Sequence, residues 1–161
     1  MKGIDPRTPV LVGIGIVEQK EKDPAKAREA VQLMIDAVRA AGADCGAPLL
    51  PAEAALISVP QGLWGYADPA RMIARAIGAE QARSVYAKVG ILQQTLIGDA
   101  CARIAGGEIE TAIVVGGEAR FRALQPLIAG TEAAETPFDE APDEVLTPQE
   151  ELQLPLEIDS G

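Results

Sequence analysis

Residues 84–118 hold the arrangement that most limits what this chain can fold into: a short apolar run, a helical pattern, and a second apolar run closing on Gly-Gly-Glu. Ser84-Val85-Tyr86-Ala87-Lys88-Val89 is rich in β-branched and aromatic side chains, and Thr111-Ala112-Ile113-Val114-Val115 carries no charge. Both read as strands covered on both faces. Between them, residues 91–104 place Leu92, Thr95, Leu96, Asp99, Ala100 and Arg103 at steps of three and four, a spacing that a helix keeps and a strand does not. The unit is strand, crossover helix, strand, which sets the two strands parallel in one sheet. Any function of such a unit is expected at the turn Val89-Gly90-Ile91, where strand end meets helix start.

The rest of the chain repeats this alternation. Val10-Leu11-Val12-Gly13-Ile14-Gly15-Ile16-Val17 reads as a first strand, its glycines permitting close packing in the middle of a sheet. Gly13-x-Gly15 also invites a dinucleotide-binding reading, but the third position of that motif is Glu18, whose carboxylate would repel phosphates. Asp23-Pro24 is a helix start, with Asp as cap and Pro in the first turn. From it Ala27, Ala30, Val31, Met34, Ala37, Val38 and Ala41 form one apolar stripe ending near Gly42. Residues 54–59 are a second apolar strand. The glycine-rich loop after it holds Trp64 and Tyr66, which either mark a binding surface or fold back as a lid on the core, the reading favoured here. Asp68-Pro69 repeats the cap signal for a short helix stopping at Gly78. The predicted fold is α/β, with a mostly parallel sheet and helices on both faces.

Charge divides the chain unevenly. Residues 1–131 hold 14 acidic and 14 basic side chains, whereas residues 132–161 hold 10 acidic ones and no Lys or Arg. Neither part offers the basic patch that nucleic acid or an anionic membrane surface requires. Pro126, Pro137, Pro142, Pro148 and Pro155 punctuate the acidic stretch, which is expected to be extended and either mobile or laid over a partner. Within it Leu152, Leu154, Leu156 and Ile158 alternate as an edge strand would. The domain reading is therefore an α/β body over residues 1–122 and an acidic Pro-rich tail, or the start of a further segment, over 123–161. No apolar run approaches the roughly 20 residues that span a bilayer, and the first residues lack the pattern of a secretory signal, so a cytoplasmic protein is expected. With no histidine and only Cys45 and Cys101, neither a metal site nor a disulfide framework is expected.

Three stretches carry a family resemblance. Tyr86-Ala87-Lys88-Val89-Gly90, the helix end Ile104-Ala105-Gly106-Gly107, and Ala112-Ile113-Val114-Val115-Gly116-Gly117-Glu118 resemble the N-terminal half of the thiolase superfamily, most closely proteins of the acetyl-CoA acetyltransferase type. The opening Asp5-Pro6-Arg7-Thr8-Pro9 and the loop Trp64-x-Tyr66-x-Asp68-Pro69 fit the same group, and the resemblance spans about residues 5–122. It implies acyltransfer or retro-aldol carbon–carbon chemistry on coenzyme A thioesters, in lipid metabolism, by an oligomer. No cofactor is expected to be held, coenzyme A thioester being the substrate.

The family's nucleophilic Cys sits where the third strand turns into a helix, whose N-terminus favours the thiolate. That position falls on Gly90, and no Cys, Ser or Thr lies within two residues of it. Cys101, eleven residues along a helix, lies about 16 Å away and reads as an inert core thiol. Cys45 reads as a loop residue on another edge. No catalytic residue is assigned; Lys88 and Glu118, at neighbouring strand ends, are the polar groups nearest the expected pocket. Each has a structural alternative, Lys88 reaching to solvent and Glu118 accepting hydrogen bonds from loop amides. The resemblance further implies that the remaining catalytic groups, and the basic residues that hold coenzyme A phosphates, come from segments beyond this half, where this chain is acidic. The reading is a subunit or half of a thiolase-like enzyme, inactive alone and paired with a C-terminal half or another subunit. The alternative is a non-catalytic thiolase-like scaffold.

Overall fold

The computed structural model describes residues 5–128, apart from 22 and 24, and residues 134–148. Four strands form one sheet: β1 (Leu56–Pro60), β2 (Arg83–Ala87), β3 (Ala112–Val114) and β4 (Glu144–Leu146), in the order β3-β1-β2-β4 with every neighbouring pair parallel. The helices are α1 (Ala30–Asp44), α2 (Pro69–Ile77), α3 (Gln93–Ala105) and α4 (Arg120–Ile128). The predicted α/β class and parallel sheet are what the chain adopts.

β1 is central, and its alternation divides the core. Ile57 and Val59 point into a cluster with Val31, Met34 and Val38 of α1 and Ile73 of α2, whereas Leu56 points to the opposite face, against Val85 and Ala100 of α3. Fully burying each such aliphatic side chain contributes about 1.5–3 kcal/mol, so a strand with no charged residue is stable only with a helix on each side. α2 begins where the sequence placed it: the buried Asp68 carboxylate accepts the Arg71 N–H at 2.9 Å, and Pro69 occupies the first turn.

Three elements differ from the sequence reading. Residues 10–17 lie outside the sheet, along α1, with the Ile14 N–H donating to the Asp44 carboxylate at 2.9 Å. The first helix begins at Ala30 rather than at Asp23. Asp23 does cap a turn, taking the Ala25 N–H on its carboxylate and the Lys26 and Ala27 N–H groups on its carbonyl. The next donor, the Arg28 N–H, is diverted to the Gln19 side chain at 2.7 Å, and Glu29 is extended, so the ladder restarts one residue later. The third difference is β4, drawn from the acidic stretch, while the edge strand expected over residues 152–158 lies outside the described residues.

β4 is held by the acidic charge itself. Asp143 accepts the Ser84 N–H at 2.8 Å and pairs with Arg71, and its own N–H donates to the Ser84 hydroxyl at 3.0 Å. Glu144 pairs with Arg83 at 3.0 Å and with Arg103 at 3.2 Å, and Glu140 pairs with Arg75 at 2.7 Å. The described part of the stretch, expected to be free or on a partner, is laid over its own body.

Two measurements check this account. Leu96 of α3 is 1% exposed against the sheet, and Leu96→Ala is expected to cost about 2–5 kcal/mol of unfolding free energy in urea titration. The hydrogen bond from the Ser84 N–H, opposed by burial and aided by Arg71, holds the Asp143 carboxyl below its ordinary value of 3.8. A depressed carboxyl stabilises the fold above the unfolded value and loses that contribution as pH falls through the folded one. Stability is therefore expected to drop below about pH 4, and Asp143→Asn to flatten that drop while costing on the order of 1 kcal/mol at pH 7, a figure kept small by partial exposure of the pair.

Candidate functional site

In a parallel sheet, ligands gather at the carboxyl ends of the strands, and here three strand ends meet in one corner. β1 runs out into Gln61 and Gly62, β2 into Lys88, Val89 and Gly90, and β3 into Gly116, Gly117 and Glu118. Gln61 ties the first two together: its N–H donates to the Ala87 carbonyl at 2.7 Å and its side-chain oxygen accepts the Val89 N–H at 3.3 Å. Sequence reasoning passed over Gln61, because a lone glutamine after a proline carries no motif.

Gly90 lies in the turn closed by the Ile91 N–H on the Lys88 carbonyl at 3.1 Å, exposed, and three residues ahead of α3. Its φ is +100°, a region that glycine enters freely and L side chains rarely adopt. The corner thus offers a bare backbone turn at the position where the resemblance places a nucleophile. The α3 N-cap is Leu92, which has no side-chain oxygen to occupy the helix's first N–H groups.

Lys88 and Glu118 stand at this edge but do not meet. Their strands flank β1, which puts them two strand spacings, or about 10 Å, apart. The Lys88 N–H donates to the Leu146 carbonyl at 2.8 Å, and its ammonium lies 4.7 Å from the centre of the Tyr86 ring, a cation–π contact that holds the side chain along the strand. Glu118 accepts the Leu63 N–H at 2.8 Å, and the neighbouring Gly117 carbonyl accepts the Trp64 indole N–H at 3.1 Å. Two bonds fasten the aromatic loop to the end of β3.

That loop folds back as a lid. Trp64 sits 5.3 Å from the Tyr66 ring and 5.9 Å from Tyr86, and Tyr66 is buried, its hydroxyl donating to Glu29 at 3.0 Å. Burial, reinforced by the Glu29 charge and by that hydrogen bond, pushes the Tyr66 hydroxyl well above the ordinary tyrosine value. For Glu29 burial acts upward too, but donation from the Thr136 N–H and hydroxyl, then from Tyr66, with the Arg122 charge, outweighs it and leaves the carboxyl below its usual value. Tyr66 is neutral and Glu29 ionised at neutral pH, and the pair pins residue 136 across α1.

The cysteines correct the sequence reading. Cys101 is half-buried rather than sealed in the core, and it lines an apolar cleft at the outer edge of β3 together with Cys45. Cys45 hydrogen bonds through its thiol to the Gly42 carbonyl at 3.2 Å. Neither thiol belongs to the corner around Gly90. Among the described residues no group of three His, Cys, Asp or Glu side chains is placed to hold a metal ion, and no helix is long and apolar enough to cross a membrane.

No family model matches this sequence, and no curated protein matches it. Among solved structures, the chain resembles the crystal structure of a monomeric SCP2-thiolase like protein type 1 from Mycobacterium smegmatis, with 29% sequence identity and a TM-score of 0.57. The similarity covers 71% of this chain and 24% of that protein, so the chain spans about a quarter of its length. The architecture built up above, a parallel sheet with helices on both faces, is a thiolase-like fold.

Proposed function

We propose that this chain is the body of one part of a thiolase-like enzyme acting on acyl-coenzyme A, with its catalytic side chains supplied by another polypeptide or another segment. The observation that supports the reading most is the corner at Gly90. A thiolase-like sheet delivers a strand end, a tight turn and an uncapped helix start to one point, yet the turn bears no thiol or hydroxyl and its backbone disfavours any side chain. A site of this shape receives a reacting group rather than providing one.

The surface beside the corner supports it further. α3 buries Leu96 and Ala100 against the sheet, while Val89 and Leu92, on either side of Gly90 and Ile91, are exposed. Apolar patches of this kind mark interaction surfaces, and one bordering Gly90 would bring a partner's side chains to the turn. The start of α3 supports a thioester as substrate: the Leu92 side chain occupies none of the helix's first N–H groups, and a thioester carbonyl set over them would find donors for its developing negative charge.

The full-length chain is expected to release no coenzyme A from acetyl- or longer acyl-coenzyme A above the buffer rate, measured with a thiol-reactive chromophore. Release is expected to begin on adding any thiolase-like polypeptide found to co-purify with it. Turnover by the isolated chain would overturn the reading, whether or not it survives replacement of both Cys45 and Cys101 by Ser.

A further inference from the structure

The loop between β1 and α2 is fastened on two sides. Toward β3 it is held by the Leu63 N–H on Glu118 and the Trp64 indole on the Gly117 carbonyl. Its other side is taken by the acidic stretch: the Gly65 N–H donates to the Glu135 carboxylate at 2.7 Å, and the Ala67 N–H to the Phe138 carbonyl at 3.4 Å. Glu29, which accepts the Tyr66 hydroxyl, also accepts the Thr136 N–H at 2.8 Å and the Thr136 hydroxyl at 3.0 Å. Glycine fits the loop to both anchors. A Cβ on Gly62 would stand 2.2 Å from the Trp64 indole nitrogen, and one on Gly65 would stand 3.1 Å from the Glu135 carboxylate.

The same stretch continues along α2 to the edge of the sheet. The Arg75 guanidinium lies 5.4 Å from the centre of the Phe138 ring, Glu140 pairs with Arg75, Asp143 with Arg71, and Glu144 with Arg83 and Arg103. The Lys88 N–H closes on the Leu146 carbonyl. Residues 135–146 are therefore a strap, with one end on the loop and the other on β2. Its fastenings are carboxylates and backbone groups, and no side chain of β4 is buried, so the strap can leave without emptying the core. The loop has a reason to follow. Asp68, just beyond it, is wholly buried, and its Oδ2 has no hydrogen-bond donor among the described residues, a cost that opening relieves by admitting water. We propose that the loop over residues 62–67 and the strap are one latch, shut in the state described here, and that release of the strap from β2 lifts Trp64 off Tyr86 and uncovers the strand-end corner. This deepens the proposed function and rests on it for what enters: the polypeptide or segment that completes the site has first to unseat the strap.

Trp64 is the sole tryptophan, so acrylamide quenching of its fluorescence reads the loop alone. Amide hydrogen exchange on the full-length chain separates the two parts: Lys88, bonded to Leu146, reports β4, and Leu63, bonded to Glu118 rather than to the strap, reports the loop. The far end is cut by Glu140→Gln, Asp143→Asn and Glu144→Gln together, whose ion pairs lie on α2, β2 and α3. Both amides are expected to exchange at least about tenfold faster than in the native chain, with Trp64 quenched at least about twofold more strongly. Glu135→Ala, which cuts the near end, is expected to speed the same two amides. Protection of the Ile57 amide reports that the sheet is intact; if the combined variant loses it, Glu144→Gln alone takes its place. Three results would overturn the latch: Lys88 released while Leu63 and Trp64 stay as in the native chain, Lys88 still protected in the folded far-end variant, or Leu63 exchanging in the native chain as fast as in an unstructured peptide. None of these readings uses acyl-coenzyme A, so a failed latch and a failed functional reading are told apart.

Discussion

The structure depends on β1 being covered in every direction. Leu56, Ile57, Ser58 and Val59 have almost no exposed surface, and the strand is paired on both edges, to β3 and to β2. A five-residue strand of this kind has no stability of its own. It exists because α1 and α2 close one face and α3 the other, and those helices are amphipathic only because a sheet lies between them. The strand ends that build the corner are thus fixed by packing some distance away: Pro60 brings Gln61 under Val89 because Ile57 and Val59 are locked into the layer below.

What the sequence made legible followed from local rules. The spacing in steps of three and four over residues 91–104 located α3, the Asp68-Pro69 cap located α2, and the uncharged run over residues 111–115 located β3. Each signal is carried by residues within one or two turns of each other. The misreadings share a different cause. Asp23-Pro24 has the chemistry of a helix start, and the Asp does cap a turn, but Gln19 captures the Arg28 N–H from outside the window. Residues 10–17 have the composition of a buried strand, yet composition does not say whether an edge is available when the segment arrives.

β4 shows the converse. Glu144, Val145 and Leu146 carry no strand pattern, and their neighbours are acidic and proline-bearing, so nothing local distinguishes them from a solvated stretch. They become a strand because Arg71, Arg75, Arg83 and Arg103 sit on α2, β2 and α3 in a patch that only the folded body assembles. The candidate site was legible to the same extent. Gly90, Lys88 and Glu118 could be placed at strand ends from the alternation alone, whereas the clamp from Gln61 and the lid bonds from Leu63 and Trp64 join residues 28 to 55 positions apart.

The arginine pairs bear on the proposed substrate. Summed over the sequence, 14 basic side chains would offer an anion several points of attachment, but four of them are engaged by Glu140, Asp143 and Glu144 around β2 and β4. An anionic ligand approaching the strand ends would have to compete with carboxylates already in contact, some of them half-buried and weakly screened. Lys88 is placed differently: among the described residues its ammonium has an aromatic ring beneath it and no carboxylate within salt-bridge distance. A phosphate there would meet one cation, too little to hold a polyanion against water. For a ligand such as coenzyme A, the corner at Gly90 is therefore short of positive charge as well as of a thiol or hydroxyl, and the proposed division of the site has to make good both.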